Sequence, residues 1–171
     1  MQSTEGCRIR EMGAGDLARI LEWRNHPDIR RFMLTSHEIS MDEHQRWFER
    51  ASCDGDRKLL LAEESGRAFG FASFAGVQPG GISNWGFYTE PGAPRGSGRR
   101  LGIGVLRLAF RGYQLHKVCG QALGFNEASI RLHRSLGFRE EGVLREQHFV
   151  DGRYHDVICF GLLQREWIDP A

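Results

Sequence analysis

The chain predicts an α+β, or mixed α/β, domain around one central sheet. Three features carry that reading. Short apolar runs bounded by turn residues recur along the chain, stretches with helical spacing stand between them, and an Asp-Gly dipeptide joins the last two runs. With 171 residues the chain is long enough for a full hydrophobic core, and residues 1–171 are read as one domain.

The elements follow in mixed order. "CRIREM" alternates and opens as a strand. "GDLARILEWRNH" places Leu17, Ile20, Leu21 and Trp23 at helical spacing, and Pro27 ends that helix. "SMDEHQRWFERA" begins with Ser40 and, three residues on, Glu43, a capping-box pattern, and sets Met41, His44, Trp47 and Phe48 near one face. "RKLLLAEE" and "GRAFGFASFAG" read as two strands joined by a short turn, and "ISNWGFYTE" as a third. "GSGRRLGIGVLRLAFRGYQ" is a helix with Leu101, Val105, Leu108 and Ala109 on one stripe. "KVCGQAL" is a strand. "NEASIRLHRSLGF" is a helix capped by Asn126 and stopped by Gly137. The last two strands, "REEGVLREQHFV" and "RYHDVICFGLL", flank Asp151-Gly152, the strongest short hairpin signal.

Composition narrows the function class. Apolar residues make up 40% and charged residues 26%, and Lys+Arg 23 against Asp+Glu 22 leaves a formal net charge of +1. That balance argues against a dedicated nucleic-acid binder while leaving room for a local basic pocket. The amino terminus has no basic segment followed by an apolar run, and no stretch is long enough to span a bilayer, so the expected location is the cytoplasm, with no membrane partner. Cys7, Cys53, Cys119 and Cys159 form no C-x-x-C pair, which argues against a disulfide framework or zinc site. Cys119 and Cys159 read as buried small hydrophobes. The histidines show no H-x-x-x-H spacing, and no metal is expected.

The segment "PRGSGRRLGIG" follows a strand that ends near Thr89 and leads into a helix. The first N–H groups of a helix lack partners within it and sit at the positive end of the helix dipole. Glycines let a ligand approach the backbone, and Arg95, Arg99 and Arg100 add positive charge, a combination suited to phosphate or pyrophosphate. The segment is neither a P-loop nor a dinucleotide fingerprint.

R-G-S-G before one helix and N-x-x-S-x-x-x-H-x-x-x-G-F on the next together resemble the GCN5-related N-acetyltransferase family, clearly over Ile82 to Phe138 and by element order elsewhere. The resemblance implies that fold, a mixed, mostly antiparallel sheet of about seven strands flanked by about four helices. It also implies acetyl-CoA as co-substrate and no metal. The loop Arg95, Gly96, Ser97, Gly98 and Arg99 would bind the pyrophosphate. The Asn126 helix, with Ser129 and His133, would run along the pantetheine arm, and the strand at Phe87 and Tyr88 would offer backbone donors to the thioester oxygen. Two departures stand out. Ala93 occupies the loop position where the family often has Gln or Arg, and His133 stands where the family often has the Tyr that protonates the leaving thiolate. An imidazole with a near-neutral pKa suits that task, and a packed helix residue shaping the groove is the other reading.

W-R-N, H-x-x-W-F and E-G…Y-x-D-V-I-x-F-G-L…E-W, in that order, are similar to the N-acetyltransferases of pseudaminic acid biosynthesis. The likeness implies a UDP-amino sugar acceptor, UDP-4-amino-4,6-dideoxy-N-acetyl-β-L-altrosamine, acetylated on its 4-amino group, whose product leads to a sugar acid on flagellin or surface glycans. Residue chemistry agrees. A nucleotide-sugar needs apolar walls and cations, and the first third offers Trp23, Phe32, Trp47 and Phe48 as walls with Arg24, Arg30, Arg31 and Arg46 as cations. Asn25 stands in the same W-R-N run. Candidate catalytic groups are His133 as acid, His44 as base, and Tyr88 lining the acceptor pocket, with Glu90 a weaker base. The competing readings are a RimJ/RimL-like acetyltransferase of a protein N-terminus or other amine, and a non-catalytic acyl-CoA-binding module. Sheet-edge strands leave a homodimer open.

Overall fold

The computed structural model describes residues 7–170. Seven strands form one sheet in the order β1-β2-β3-β4-β5-β7-β6. They are β1 (Arg8–Glu11), β2 (Arg57–Glu64), β3 (Arg67–Ala75), β4 (Ile82–Thr89), β5 (Lys117–Leu123), β6 (Arg139–Val150) and β7 (Arg153–Leu163). Every neighbouring pair is antiparallel except β4 and β5. Those two are joined through the helix α4 (Ser97–Arg107), and a crossover of that kind returns the chain in the same direction. The remaining helices are α1 (Leu17–Asn25), the short α2 (Pro27–Arg30), α3 (Met41–Cys53) and α5 (Glu127–Ser135). The expected architecture is therefore present, with one more short helix. Among the described residues no helix is long and apolar enough to cross a membrane.

The sheet is buried on both faces at its centre. In β2, Leu60 and Ala62 join a core with α4 and α5, while Leu59 and Leu61 join a second core with α1 and α3. Burial on alternate sides explains why "RKLLLAEE" reads as a continuous apolar run. In α4, Leu101, Val105 and Leu106 are buried, and the backbone then widens into a π turn over Leu108–Gly112, where Ala109 is buried and Leu108 packs on the same core. Toward β5 and β7 the second face loses its helical cover. Cys119 and Cys159, on the side opposite Val118 and Phe160, are half-buried rather than core residues.

Local signals explain most boundaries. α1 stops at Asn25, ahead of Pro27. Pro27 then opens α2, where its fixed φ and missing N–H are suited to the first helical position. Ser40 caps α3 by accepting from the Glu43 N–H at 3.2 Å. The Glu43 carboxylate turns instead to His37 Nε2 at 3.0 Å, so only half of the expected capping box forms. Asn126 accepts from the Ser129 N–H at 3.1 Å, Gly137 leaves α5 with φ +93°, and Asp151 and Gly152 both take positive φ in the β6–β7 turn.

Gly120 makes a close packing demand in the core. A Cβ there would lie 2.5 Å from His133 Nε2 and 2.5 Å from Trp85 Nε1, both on ring side chains held in the core. G120A should therefore destabilise the fold by about 1–3 kcal/mol, the usual cost of overpacking. The check is urea denaturation, and an unchanged midpoint would show that the rings move aside freely.

Candidate active site

β4 and β5 pair only at Ile82↔Lys117, Ser83↔Val118 and Asn84↔Cys119. β4 continues to Thr89 and β5 to Leu123, so beyond those pairs the facing edges diverge and leave a cleft lined by backbone N–H and C=O groups without a strand partner. Phe87 and Tyr88 stand on the diverging part of β4. Alternation sends Phe87 toward the first core, where its ring centroid lies 4.6 Å from that of Trp85, and Tyr88 toward the second, where it meets Phe71 at 5.1 Å.

His133 lies at the root of this cleft and inside the core, 1% exposed. Its ring stacks on Phe160 at 4.4 Å. Trp85 Nε1, a donor only, donates to His133 Nε2 at 3.1 Å, which fixes the proton on Nδ1, and Nδ1 donates to the Ser129 carbonyl at 2.8 Å. Both nitrogens are thus occupied, and burial holds the imidazole pKa below its ordinary value against a small opposing effect of the Ser129 carbonyl. A side chain so placed has no free proton to deliver into the cleft, which corrects its reading as a catalytic acid. The packed reading of His133 fits the geometry.

The glycine-rich loop reaches the mouth of the cleft. Gly96 is the N-cap of α4 with φ +92°, a conformation that favours glycine. The N–H groups of Gly98 and Arg99 belong to the first turn, which has no acceptors within the helix. Arg95 and Arg99 are exposed beside it. Arg100 turns inward instead. It donates to Ser97 Oγ at 3.1 Å, pairs with Glu64 at 3.6 Å and lies over the Phe69 ring. Ser97 is buried, and its N–H donates to the Pro94 carbonyl at 3.1 Å. Gly98 has a second task, since a Cβ there would lie 3.2 Å from Leu132 of α5. Asn126 serves as the α5 cap, and the Ser129 hydroxyl lies 3.4 Å from His133 Nδ1.

On the other side of the sheet lies a cavity of about 310 Å³, walled by Arg24, His44, Trp47 and Tyr88 together with Phe71, Glu43, Arg50, Thr35 and Ile39. His44 stacks on Trp47 at 5.1 Å, is 3% exposed and leaves Nε2 without a partner. Burial lowers its pKa, the Leu17 backbone works against that and Arg24 adds to it, so it is a neutral imidazole near pH 7. Burial pushes the Tyr88 hydroxyl well above its ordinary value and keeps it a protonated phenol.

The other expected acceptor residues separate. Trp23 is core. Phe48 packs against the same core. Asn25 grips the loop before α3, its side chain both donating to the Ile39 carbonyl and accepting from the Ile39 N–H at 2.8 Å. Arg31 covers the Phe32 ring at 4.4 Å, and Phe32 meets Phe125 at 5.9 Å, away from the cavity wall. Glu90 is held by Arg67 at 2.8 Å. Arg50 and Glu43 were not anticipated, although their spacing of three and four residues around Trp47 places them on its helix face.

An acetyltransferase (GNAT) domain model matches residues 7–139. The chain belongs to the GNAT acetyltransferase family. Family membership carries the reaction class, N-acetyl transfer from acetyl-CoA, and leaves the acceptor open. The uncharacterized N-acetyltransferase YokL of a Bacillus subtilis prophage is 41% identical over 78 residues, a match spanning 46% of this chain and 44% of that protein. Acetyltransferase PseH of Campylobacter jejuni (strain 81-176) is 25% identical over 75% of this chain and 80% of its own. The crystal structure of spermidine N-acetyltransferase from Vibrio cholerae in complex with CoA and spermine superposes with a TM-score of 0.86 at 24% identity, covering 94% of this chain and 96% of that one.

The burial of His133 has a pH signature. Its folded pKa lies below the ordinary 6.5, so between the two values the unfolded chain binds a proton that the folded chain does not. Stability is fully present above the unfolded value and declines as pH falls through it toward the folded one. H133Q retains an acceptor for Trp85 and removes the titration. Urea melts at about pH 7.5 and about pH 5.5 should show a smaller pH loss for H133Q than for the wild type, with His44 supplying part of what remains. Equal losses would place His133 outside the titrating set.

Proposed function

We propose that the protein transfers the acetyl group of acetyl-CoA to the 4-amino group of UDP-4-amino-4,6-dideoxy-N-acetyl-β-L-altrosamine, a step in pseudaminic acid biosynthesis. The observation that carries the transfer is the β4–β5 cleft, with the arginine-flanked start of α4 at its mouth and the Tyr88 cavity beside it. The likeness to PseH over three quarters of the chain supports the acceptor, as do the arginines of the first third.

In this reading the pyrophosphate lies on the N–H groups at the start of α4, near Arg95 and Arg99, with Gly96 and Gly98 giving it access. The pantetheine follows the open edge of β4 and the Asn126 end of α5. The neutral amine attacks the thioester carbon, the C–S bond breaks, the amine gives up a proton, and the thiolate takes one. Backbone N–H groups near Phe87 and Tyr88 polarise the carbonyl oxygen. His44, a neutral imidazole in the cavity wall, accepts the amine proton directly or through water. Tyr88 lines the acceptor cavity as a neutral phenol, and the thiolate takes its proton from water. His133 positions Trp85.

A second reading, acetylation of a polyamine, is favoured by the superposition on the spermidine enzyme. Free-thiol release from acetyl-CoA, measured with the UDP-amino sugar, its 4-amino-glucosamine epimer, an N-terminal ribosomal peptide and spermidine, distinguishes them. Release with the first sugar alone is expected. Release with spermidine or the peptide alone would overturn the sugar reading, and silence from all four would leave a binding module. R99A should raise the KM for acetyl-CoA by about threefold to tenfold, as for a lost charge-assisted contact, and leave the acceptor KM unchanged. An unchanged acetyl-CoA KM would remove Arg99 from the pyrophosphate site.

A further inference from the structure

The cavity beside Tyr88 holds a cation that, among the described residues, makes no ion pair. Arg24 stands in the last turn of α1, and its side chain forms part of the cavity wall. Nη2 donates to the Thr35 carbonyl at 2.8 Å, while Nη1 is shut off from water and has no acceptor among the described residues. The acid in the same wall, Glu43, turns its carboxylate to His37 Nε2 at 3.0 Å and acts on Arg24 only from a distance. Arg50 adds a second positive group to the wall, and Arg30 lies close enough to act unfavourably on Arg24. Burial draws the Arg24 pKa below its ordinary value, the direction expected of a charge that has lost water and gained too little in return, with Tyr88 and Glu43 only partly opposing. A partly desolvated guanidinium without an anion is costly, and a ligand that brings an anion offsets the cost.

We infer that the acceptor of this cavity carries an anionic group in addition to its amine, and that Arg24 receives that anion and selects against polyamines. The inference rests on reading the cavity as the acceptor site, and it holds for a diphosphate or a carboxylate alike. A guanidinium offers a planar fork to either group. A polyamine instead brings a second cation toward Arg24 and Arg50, and like charges brought together in a partly dry pocket weaken binding. Arg24 is thus a specificity-determining residue.

The test compares amines of matched length that differ in the charge at the far end. Thiol release from acetyl-CoA is measured with 6-aminohexanoate, 1,6-diaminohexane, spermidine and the UDP-amino sugar, for wild type, R24Q and R24K. The wild type should show a kcat/KM for 6-aminohexanoate at least about tenfold above that for the diamine, the scale of one charge-assisted hydrogen bond. R24Q should bring that ratio close to one, and R24K should keep part of it. If R24Q does not fold, the wild-type panel and R24K carry the comparison. Preference for the diamine or spermidine overturns the inference, as does a ratio that neither variant changes. Silence from every amine overturns it too. An inert sugar nucleotide beside an active, Arg24-dependent aminohexanoate would defeat the proposed acceptor and leave this inference standing.

Discussion

The early end of the β4–β5 ladder is the constraint on which the rest depends. A fully zipped parallel pair would satisfy its own backbone and leave nothing for a ligand. Here pairing stops after Asn84 and Cys119, where the Trp85 indole and the His133 imidazole fill the space above Gly120. The wedge is a neutral, fully hydrogen-bonded pair within a ring of Phe87, Phe138 and Phe160. It fills the root of the cleft without placing an unsatisfied polar atom there. Gly120 is required because any side chain would strike both rings at once. The same wedge orients Phe87 and fixes which face Tyr88 presents to the second core.

The helix that closes the crossover serves two demands with one composition. Gly98 and Gly102, one turn apart, face Leu132 and Leu136, themselves one turn apart on α5, and a Cβ on Gly102 would come 2.6 Å from Leu136 Cδ1. α4 can therefore lie close to α5, and its free N–H groups reach the cleft mouth. The arginines divide in the same way. Arg100 stitches the helix start to Glu64 and Phe69, while Arg95 and Arg99 stay exposed. Glycines that admit an anion from outside also admit a leucine from inside.

Features governed by local chemistry were legible in the sequence. The Asn126 cap, the Gly137 stop, the Asp151-Gly152 turn and the seven strand segments each depend on residues within a few positions. Features governed by distant neighbours were harder to read. His133 invites a chemical role because imidazole titrates near neutrality, yet its state is set by Trp85, 48 positions away, and by Phe160. Trp23 and Arg24 are adjacent in sequence, but one enters the core and the other the cavity wall, since neighbours on a helix point in different directions. In the sequence Phe71 shows only as part of a strand. Its place under Trp47 and Tyr88 follows from the pairing of β3 with β4 and from α3 crossing that face.

The distribution of unpaired charge links the two halves of the site. A net charge of +1 says little about any pocket, because much of the arginine is spent on local ion pairs. Arg10 holds Asp16 and Glu63, Arg107 and Arg111 share Asp169, and Arg134 and Arg139 hold Glu140 and Glu166. Such pairs screen each other and fix the outer surface. Among the described residues, the arginines at the site that make no ion pair are Arg95 and Arg99 at the cleft mouth and Arg24 and Arg50 in the cavity wall, where Glu43 supplies one negative charge. In the proposed reaction both substrates bring phosphate, one on each side of β4. On that reading a polyamine would meet two arginines and one carboxylate in the cavity wall, and an anionic acceptor would offset the excess positive charge. In the proposed reaction the residual field then favours acceptors of the second kind, even where the fold alone is shared with enzymes of the first.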